Sequence, residues 1–300
     1  MAGKIESITA TVPCAGLQYT DLRPTITADS IDEYREQLIE VGKLAGNDAF
    51  VKRMSTQLDA QTGLTEPLTS SGEVLGDGVL FNKEDHTYSK NGLPYLSGST
   101  FAHMFEKEFP KDTIAAKVAD GTEKTPEEVI AAWEAKGQLS LDYGTLIHKC
   151  IETYIKHGET PSNQYLKDIV DDWAYTFADT TAWTIHPEYF LQDDAHQLCG
   201  VADAVAFDEK LNVVLYDWKT GDIHKKQQNT LGKDFPNDAL SLYTLQLNFY
   251  RYILEQKGNK VTKMVIGWLN GEHWEKVDIP KIDIKPYLEQ VWKPKKLSSN

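Results

Sequence analysis

The chain has 300 residues, 41% hydrophobic and 10% aromatic, enough to bury a sizeable core in one large domain or a domain with an extension. Its formal net charge of −14 argues against a broad basic surface for nucleic acid, while leaving room for a local basic groove. Its three cysteines, Cys14, Cys150 and Cys199, are odd in number, widely spaced and in no CxxC pair, which argues for reduced thiols and against a disulfide framework, and excludes a four-cysteine zinc or iron–sulfur centre within one chain. Any metal chemistry must then use oxygen and imidazole ligands.

The N-terminal residues lack the apolar core of a secretory signal, and the longest apolar runs, such as Val213 to Tyr216, are far short of a membrane span. A soluble cytoplasmic protein with no membrane partner is expected. Residues 1–75 are rich in Thr, Ser, Asp and Glu and read as an accessory region ahead of a main domain at 76–300. Within it, Ile31, Tyr34, Leu38 and Val41 share a face at helical spacing, which predicts a helix from Ser30 to about Leu44. The Gly, Thr, Pro and Ser punctuation from Gln61 to Asp77 predicts a linker.

From Val79 the texture changes. Apolar segments at 79–81, 86–89 and 93–96, with a turn at Lys90-Asn91-Gly92, predict paired hairpins. Ser97 then caps a helix through Phe105, and further helices are expected at 126–136, 142–157 and 163–179. Strands follow at 183–191, 199–207 and 212–219, then a loop rich in Lys, Gln and Asp, a helix near 239–257, strands near 261–269 and 273–278, and a short C-terminal helix. This order predicts an α/β fold with a mixed central sheet flanked by helices.

The chemistry concentrates in two apolar strands joined by Asp208 to Asn212. A register symmetric about Lys210 sets Phe207 opposite Val213, Val205 opposite Leu215 and Asp203 opposite Asp217. Facing side chains project to one side of a sheet, roughly 4.5–5.5 Å apart at Cβ. Lys219, two residues beyond Asp217, falls on the same side. Two facing carboxylates repel, and a divalent cation resolves the conflict; oxygen ligands suit Mg²⁺ or Mn²⁺, which also accept phosphate oxygens. Phosphodiester hydrolysis is the reaction such a site fits, with Lys219 orienting water or stabilising charge on phosphate. An isolated Asp-x-Lys is more often an ordinary surface ion pair; the second Asp at the end of an apolar strand is what sets this one apart.

Two further elements accompany it. Gly144, His148 and Glu152 form one helical stripe at i, i+4 spacing. Gly144 permits close approach of a backbone, His148 offers an imidazole ligand or a phosphate contact, and Glu152 can bind metal or fix its neighbours. On the helix after the second strand, Gln246 and Tyr250 stand one turn apart and can reach a phosphate or base, while Leu242, Leu245, Phe249 and Ile253 form its core face. His224, Lys225, Lys226 and Lys233, interleaved with Gln227, Gln228 and Asn229, can track a phosphate backbone, although a mobile solvated loop accounts for them equally well.

Gly144-x3-His148-x3-Glu152, Gly200-x2-Asp203, Asp217-x-Lys219-Thr220-Gly221 and Gln246-x3-Tyr250, in this order and spacing, resemble the RecB-like branch of the PD-(D/E)XK nucleases over roughly residues 80–275. His86-Thr87-Tyr88 with Leu96-Ser97-Gly98-Ser99-Thr100-Phe101 also resembles the lead-in of phage and mitochondrial single-chain exonucleases of that branch. The resemblance implies a restriction-endonuclease-like core and metal ligation by His148, Asp203 and Asp217 with the Trp218 carbonyl. It implies that Lys219 is catalytic, with Glu152 in the catalytic set, and that Gln246 and Tyr250 lie near DNA. Glu188, on the preceding strand, stands where many relatives carry an acid. Four-cysteine iron–sulfur members of the branch are excluded.

The activity implied is a Mg²⁺- or Mn²⁺-dependent deoxyribonuclease, an exonuclease acting on DNA ends in recombination, repair or viral replication, in host cytoplasm if the chain is viral. A single-strand annealing or single-strand-binding protein is a candidate partner. An endonuclease or RNA-directed nuclease would use the same site, and a catalytically silent DNA- or protein-binding relative is the rival of a different class. The acidity of residues 1–75 argues against their binding DNA directly.

Overall fold

The computed structural model describes residues 5–9, 12–13, 21–22, 25–28, 73–178, 184–210, 212–271 and 273–295. The helix expected from Ser30 lies outside these residues. The described chain is divided between two compact units.

The first unit includes the N-terminal strands, Pro110–Cys150 and Thr160–Ile169. Strand β1 (Ile5–Thr9) pairs antiparallel with β4 (Thr25–Ala28), and β2 (Val12–Pro13) with β3 (Asp21–Leu22). Helix α2 (Lys111–Asp120), which follows the short helix α1 (Gly98–His103) of the second unit, packs Ala115 and Ala119 against Val129, with Ile130 and Trp133 alongside. No helix was expected here from the sequence, because only two alanines on this helix are buried and they give a weak apolar stripe. Val129 lies in the first turn of helix α3 (Pro126–His157), an unbroken helix where two were expected at 126–136 and 142–157. Gly137 is the only breaker between them, and a lone glycine costs about 1 kcal/mol in a helix interior. A bond from Gln138 Nε2 to Asp142 Oδ1 (2.8 Å) supports the helix across that point. The Tyr143 and Tyr165 hydroxyls meet at 3.1 Å, the latter on α4 (Gln164–Thr176).

The second unit comprises Leu68–Phe109, Ile151–Glu159 and Val170–Asn300 and is an α/β structure around a mixed nine-stranded sheet. Its strands are β5 (Glu73–Leu75), β6 (Val79–Asn82), β7 (Thr87–Lys90), β8 (Leu93–Ser97), β9 (Thr184–Asp193), β10 (Leu198–Phe207), β11 (Asn212–Lys219), β12 (Lys260–Asn270) and β13 (His273–Asp278). Glu73–Leu75 lies inside the segment expected as a linker; it is a strand because Leu75 pairs with Val79 and Glu73 with Phe81 across a turn with left-handed glycines at 76 and 78.

Strand β10 organises the sheet. One edge pairs with β9 along its whole length; the other pairs with β8 at Leu198 and Cys199 and with β11 at Ala204 to Phe207. β11 pairs parallel with β12 through a crossover helix α5 (Ala239–Gln256), and β13 closes that end of the sheet. Asp238 caps α5 by accepting the Ser241 N–H at 2.9 Å. A short helix α6 (Lys285–Val291) follows, started by Pro286.

The main core lies between one sheet face and α1 and α5, joining Phe101, Phe105, Val205, Leu215, Leu245, Phe249 and Ile253. The opposite face of β11 to β13 packs Tyr216, Trp218 and Trp274 against Trp173 and Phe177 at the end of α4. Helix α1 ends at His103, two residues short of the expected Phe105, whose carbonyl instead accepts the Thr230 N–H. Helix α4 ends at Thr176 where the pattern ran to 179, because Phe177 turns into the aromatic cluster. Among the described residues no helix is long and apolar enough to cross a membrane.

Candidate metal and nucleic-acid site

The hairpin β10–β11 adopts the expected register: Phe207 faces Val213 and Val205 faces Leu215. Asp208 and Asn212 fix the turn, with Asn212 Nδ2 donating to Asp208 Oδ2 at 2.7 Å. Paired residues run to Ala204 and Tyr216, one step short of Asp203 and Asp217. There the side chain continues the pairing, since Asp203 Oδ2 accepts the Trp218 backbone N–H at 2.6 Å. This charge-assisted bond ties the Asp203 carboxylate to the backbone between Asp217 and Lys219.

Alternation along β11 sends Asp217 and Lys219 to the α5 side of the sheet. Asp217 is buried, 2% exposed, and its Oδ2 meets the Lys219 ammonium at 2.6 Å. Burial alone would lower the Lys219 ammonium, but the Asp217 and Asp203 carboxylates outweigh it and hold the group well above the usual lysine range. The two carboxylates thus favour the charged form of Lys219.

Helix α5 lays a polar stripe on this pair. Gln246 Nε2 donates to Asp217 Oδ1 and to the Tyr250 hydroxyl, both at 3.3 Å. Tyr250 is buried, and burial first, then the Asp217 charge, raise its phenol well above 10. Its ring occupies space that two glycines leave open. A Cβ at Gly98 would stand 2.4 Å from Tyr250 Cε1, and one at Gly200 2.7 Å from it. That is the physical reason for the glycine three residues before Asp203: it admits the tyrosine that supports Gln246.

On the other side of β10, Glu188 on β9 comes to Asp203, and carboxylate oxygens of the two lie within 4.8 Å. Pairing of β9 with β10 skips this position, passing from Tyr189–Ala202 to Pro187–Ala204. Glu188 has φ +50°, a left-handed conformation uncommon for a non-glycine residue and commonest at functional sites. Asp203 thus stands between two acids: Glu188 comes to its carboxylate from β9, and Asp217 follows on β11, where both Asp217 and Asp203 act on the Lys219 ammonium. Like charges brought this close favour a divalent cation, and carboxylate oxygens are the donors Mg²⁺ and Mn²⁺ take. Among these residues, the donor chemistry fits such an ion.

The remaining expected residues are placed as follows. Glu152, half-buried on α3, pairs with Lys156 one turn on at 2.5 Å. His148 and Gly144 are half-buried on the same helix, at i, i+4 spacing from each other and from Glu152. Lys225 and Lys226 are exposed, and their segment is pinned at both sides. The Ala239 N–H donates to the Lys225 carbonyl, Lys226 pairs with Asp238, and the Lys107 N–H donates to the Gln228 carbonyl. Buried Asn229 organises the turn by donating from Nδ2 to the Pro236 carbonyl at 2.7 Å and accepting the Leu231 N–H at 3.0 Å. These bonds build a small ladder that leaves the Lys225 and Lys226 side chains in solvent. Sequence reasoning did not single out Tyr243, whose ring stands 4.8 Å from the Lys219 ammonium. Its spacing of three and seven residues from Gln246 and Tyr250, on one helical stripe, was the available signal.

No family model matches this chain, and no curated protein matches it. Among solved structures, the chain is similar to one described as "Crystal structure of SSO0001", at 11% identity and a TM-score of 0.31, over 65% of this chain and 71% of that one.

Proposed function

We propose that this protein is a metal-dependent DNA nuclease of the RecB-like PD-(D/E)XK type, an exonuclease acting on free DNA ends. The observation that carries the reading is the convergence of Asp203, Asp217 and Lys219 at the end of one hairpin, with Gln246 and Tyr250 ordering Asp217 from the facing helix. Glu188, Asp203 and Asp217 would hold Mg²⁺ or Mn²⁺, joined in this proposal by the His148 imidazole and the Trp218 carbonyl. When bound, such an ion supplies Lewis-acid polarisation of a phosphate oxygen and a water of lowered pKa.

The chain's own residues do the rest. Asp203 and Asp217 fix the corner. Lys219, held charged, stabilises the negative charge that grows on the phosphate as the P–O bond breaks. Gln246 keeps the Asp217 carboxylate oriented and presents its amide to the nucleotide, with Tyr250 fixing Gln246. Glu152 sets the charge of its helical stripe beside the imidazole. Lys225 and Lys226 would contact the backbone phosphates of the DNA, which gives binding without sequence readout. Processing of ends in recombination, repair or viral replication, in a cytoplasm and alongside a single-strand annealing or single-strand-binding protein, is the setting this activity fits.

The test is cleavage of end-labelled linear single- and double-stranded DNA and of closed circles, with Mg²⁺, Mn²⁺ or EDTA, using wild type, Lys219→Ala and Asp217→Ala. The reading expects metal-dependent loss of linear DNA, sparing of circles, and no activity in either variant. Cut circles would make it an endonuclease at the same site. If wild type and variants leave every substrate intact, the enzymatic reading fails and a silent DNA- or protein-binding role replaces it.

A further inference from the structure

Lys219 sits at the end of β11 with 20% of its side chain exposed, on a flexible four-carbon stem whose ammonium meets the Asp217 carboxylate at 2.6 Å. If Asp217 also holds a divalent cation, that contact is weakened when it matters, because the carboxylate is shared and the cation repels the ammonium. A second hold that a cation does not compete for would keep the ammonium in place. The face of an aromatic ring is such a hold: it attracts an ammonium through its quadrupole and offers no donor atom to Mg²⁺ or Mn²⁺.

Tyr243 provides that face. It lies on α5 one turn before Gln246, half-buried, with the Lys219 Nζ over its ring at 4.8 Å from the centroid, inside the range of a cation–π contact. The stripe of α5 thus divides its work along β11: Tyr250 and Gln246 order the carboxylate, and Tyr243 covers the ammonium. Burial raises the Tyr243 phenol, so the ring stays neutral at working pH.

We infer that Tyr243 is a positioning residue for Lys219, its ring face holding the ammonium at the reaction centre while Asp217 is engaged with the cation. The inference rests on the nuclease reading for its catalytic consequence, and on the ring–ammonium contact alone for its structural content.

The experiment uses the full chain with Tyr243→Phe, Tyr243→Leu and pentafluorophenylalanine at position 243. Phe keeps the ring and loses the hydroxyl. Leu loses the ring. The fluorinated ring keeps the shape and reverses the quadrupole, which preserves folding if Leu does not. Two readouts are taken. One is the proton shift of the Lys219 Cε methylene, assigned with Lys219→Arg, without DNA and with Mg²⁺ present. The other is kcat and KM on linear DNA.

Wild type and Tyr243→Phe are expected to show the Lys219 methylene upfield of the other lysines, by ring current, and kcat within about twofold of each other. Tyr243→Leu is expected to lose the shift and to lose kcat by roughly three- to thirtyfold at unchanged KM, a range set by the strength of such contacts. The fluorinated variant should follow Leu. An unshifted methylene in wild type, or equal kcat in all variants, overturns the inference. So does a Phe variant as slow as Leu, which would assign the effect to the hydroxyl. If wild type cleaves nothing, the nuclease reading is at fault, and the methylene shift still decides whether Tyr243 holds Lys219.

Discussion

The two faces of β11 are built from alternate residues and do opposite things. Tyr216 and Trp218 point into an aromatic cluster with Trp173, Phe177 and Trp274, at ring-centroid distances of 5.1–6.1 Å around Trp218. Asp217 and Lys219 point to α5 and form a buried ion pair lined by Gln246 and Tyr243. Trp218 is anchored so closely that a Cβ at Gly267, its partner on β12, would meet its ring at 2.5 Å. A charged corner is thus held in place by the face behind it. The aromatic side resists rotation of the strand, while Gln246 and Tyr243 hold the carboxylate and the ammonium from α5.

Changes on the charged face should remove activity and spare stability. Lys219→Ala is expected to lower DNA cleavage by roughly 10²–10⁴-fold, in line with loss of a positioned charge at a transition state. Its chemical denaturation should show a loss of only about 1–3 kcal/mol from the polar group left without its ammonium. A variant that unfolds outright would collapse the distinction between the faces.

Changes on the aromatic face should do the reverse. Trp218→Ala removes a buried indole and is expected to cost about 3–5 kcal/mol of stability in denaturant unfolding. Activity should then fall through the loss of folded protein, and return in part on cooling or added osmolyte. Gly200→Ala sits between the two classes. Its added methyl drives into the Tyr250 ring, and overpacking of this kind costs about 1–3 kcal/mol. Because Tyr250 supports Gln246, kcat should fall in this variant even where calorimetry finds it fully folded.

The smallest effect is expected away from both faces, at the β9–β10 turn. Asp194 accepts from Lys90 and Tyr95 at 2.7 and 2.8 Å and from Gln192. Burial would raise this carboxyl, but those partners together outweigh it and bring it down to about 2. A depressed carboxyl stabilises the fold above its unfolded value, near 4, and that contribution is lost as pH falls towards 2. With 53% of the side chain exposed, solvent screens the pair, so Asp194→Asn should cost about 0.5–1 kcal/mol at pH 7. In urea titrations the difference from wild type should shrink below about pH 4. Cleavage should be unchanged.

Much of this arrangement is legible in the sequence where physics acts locally. The apolar runs of β10 and β11 and the short polar turn between them specify the register that puts Val205 opposite Leu215. The spacing of Gln246 and Tyr250 is likewise readable as one stripe. Glu188 is reached only through the resemblance, because strand periodicity hides the left-handed turn that its backbone makes after Pro187, beside Asp203. What escaped depends on contacts distant in the chain. The order in the loop carrying Lys225 and Lys226 comes from Asn229 and from a ladder to Lys107, more than a hundred residues earlier. Tyr243 reads as one more aromatic on an amphipathic helix until Lys219 is found above it. Gly137, in the gap between the two expected helices, is absorbed by the helix that continues through it.

Mn²⁺ titration by calorimetry or electron paramagnetic resonance tests the proposal that the carboxylates of Glu188, Asp203 and Asp217 share one divalent cation. One Mn²⁺ per chain is expected, with affinity reduced by about tenfold to a hundredfold or more in Asp203→Asn and Asp217→Asn and unchanged in Asp194→Asn. Equal Mn²⁺ affinity in wild type, Asp203→Asn and Asp217→Asn would contradict it.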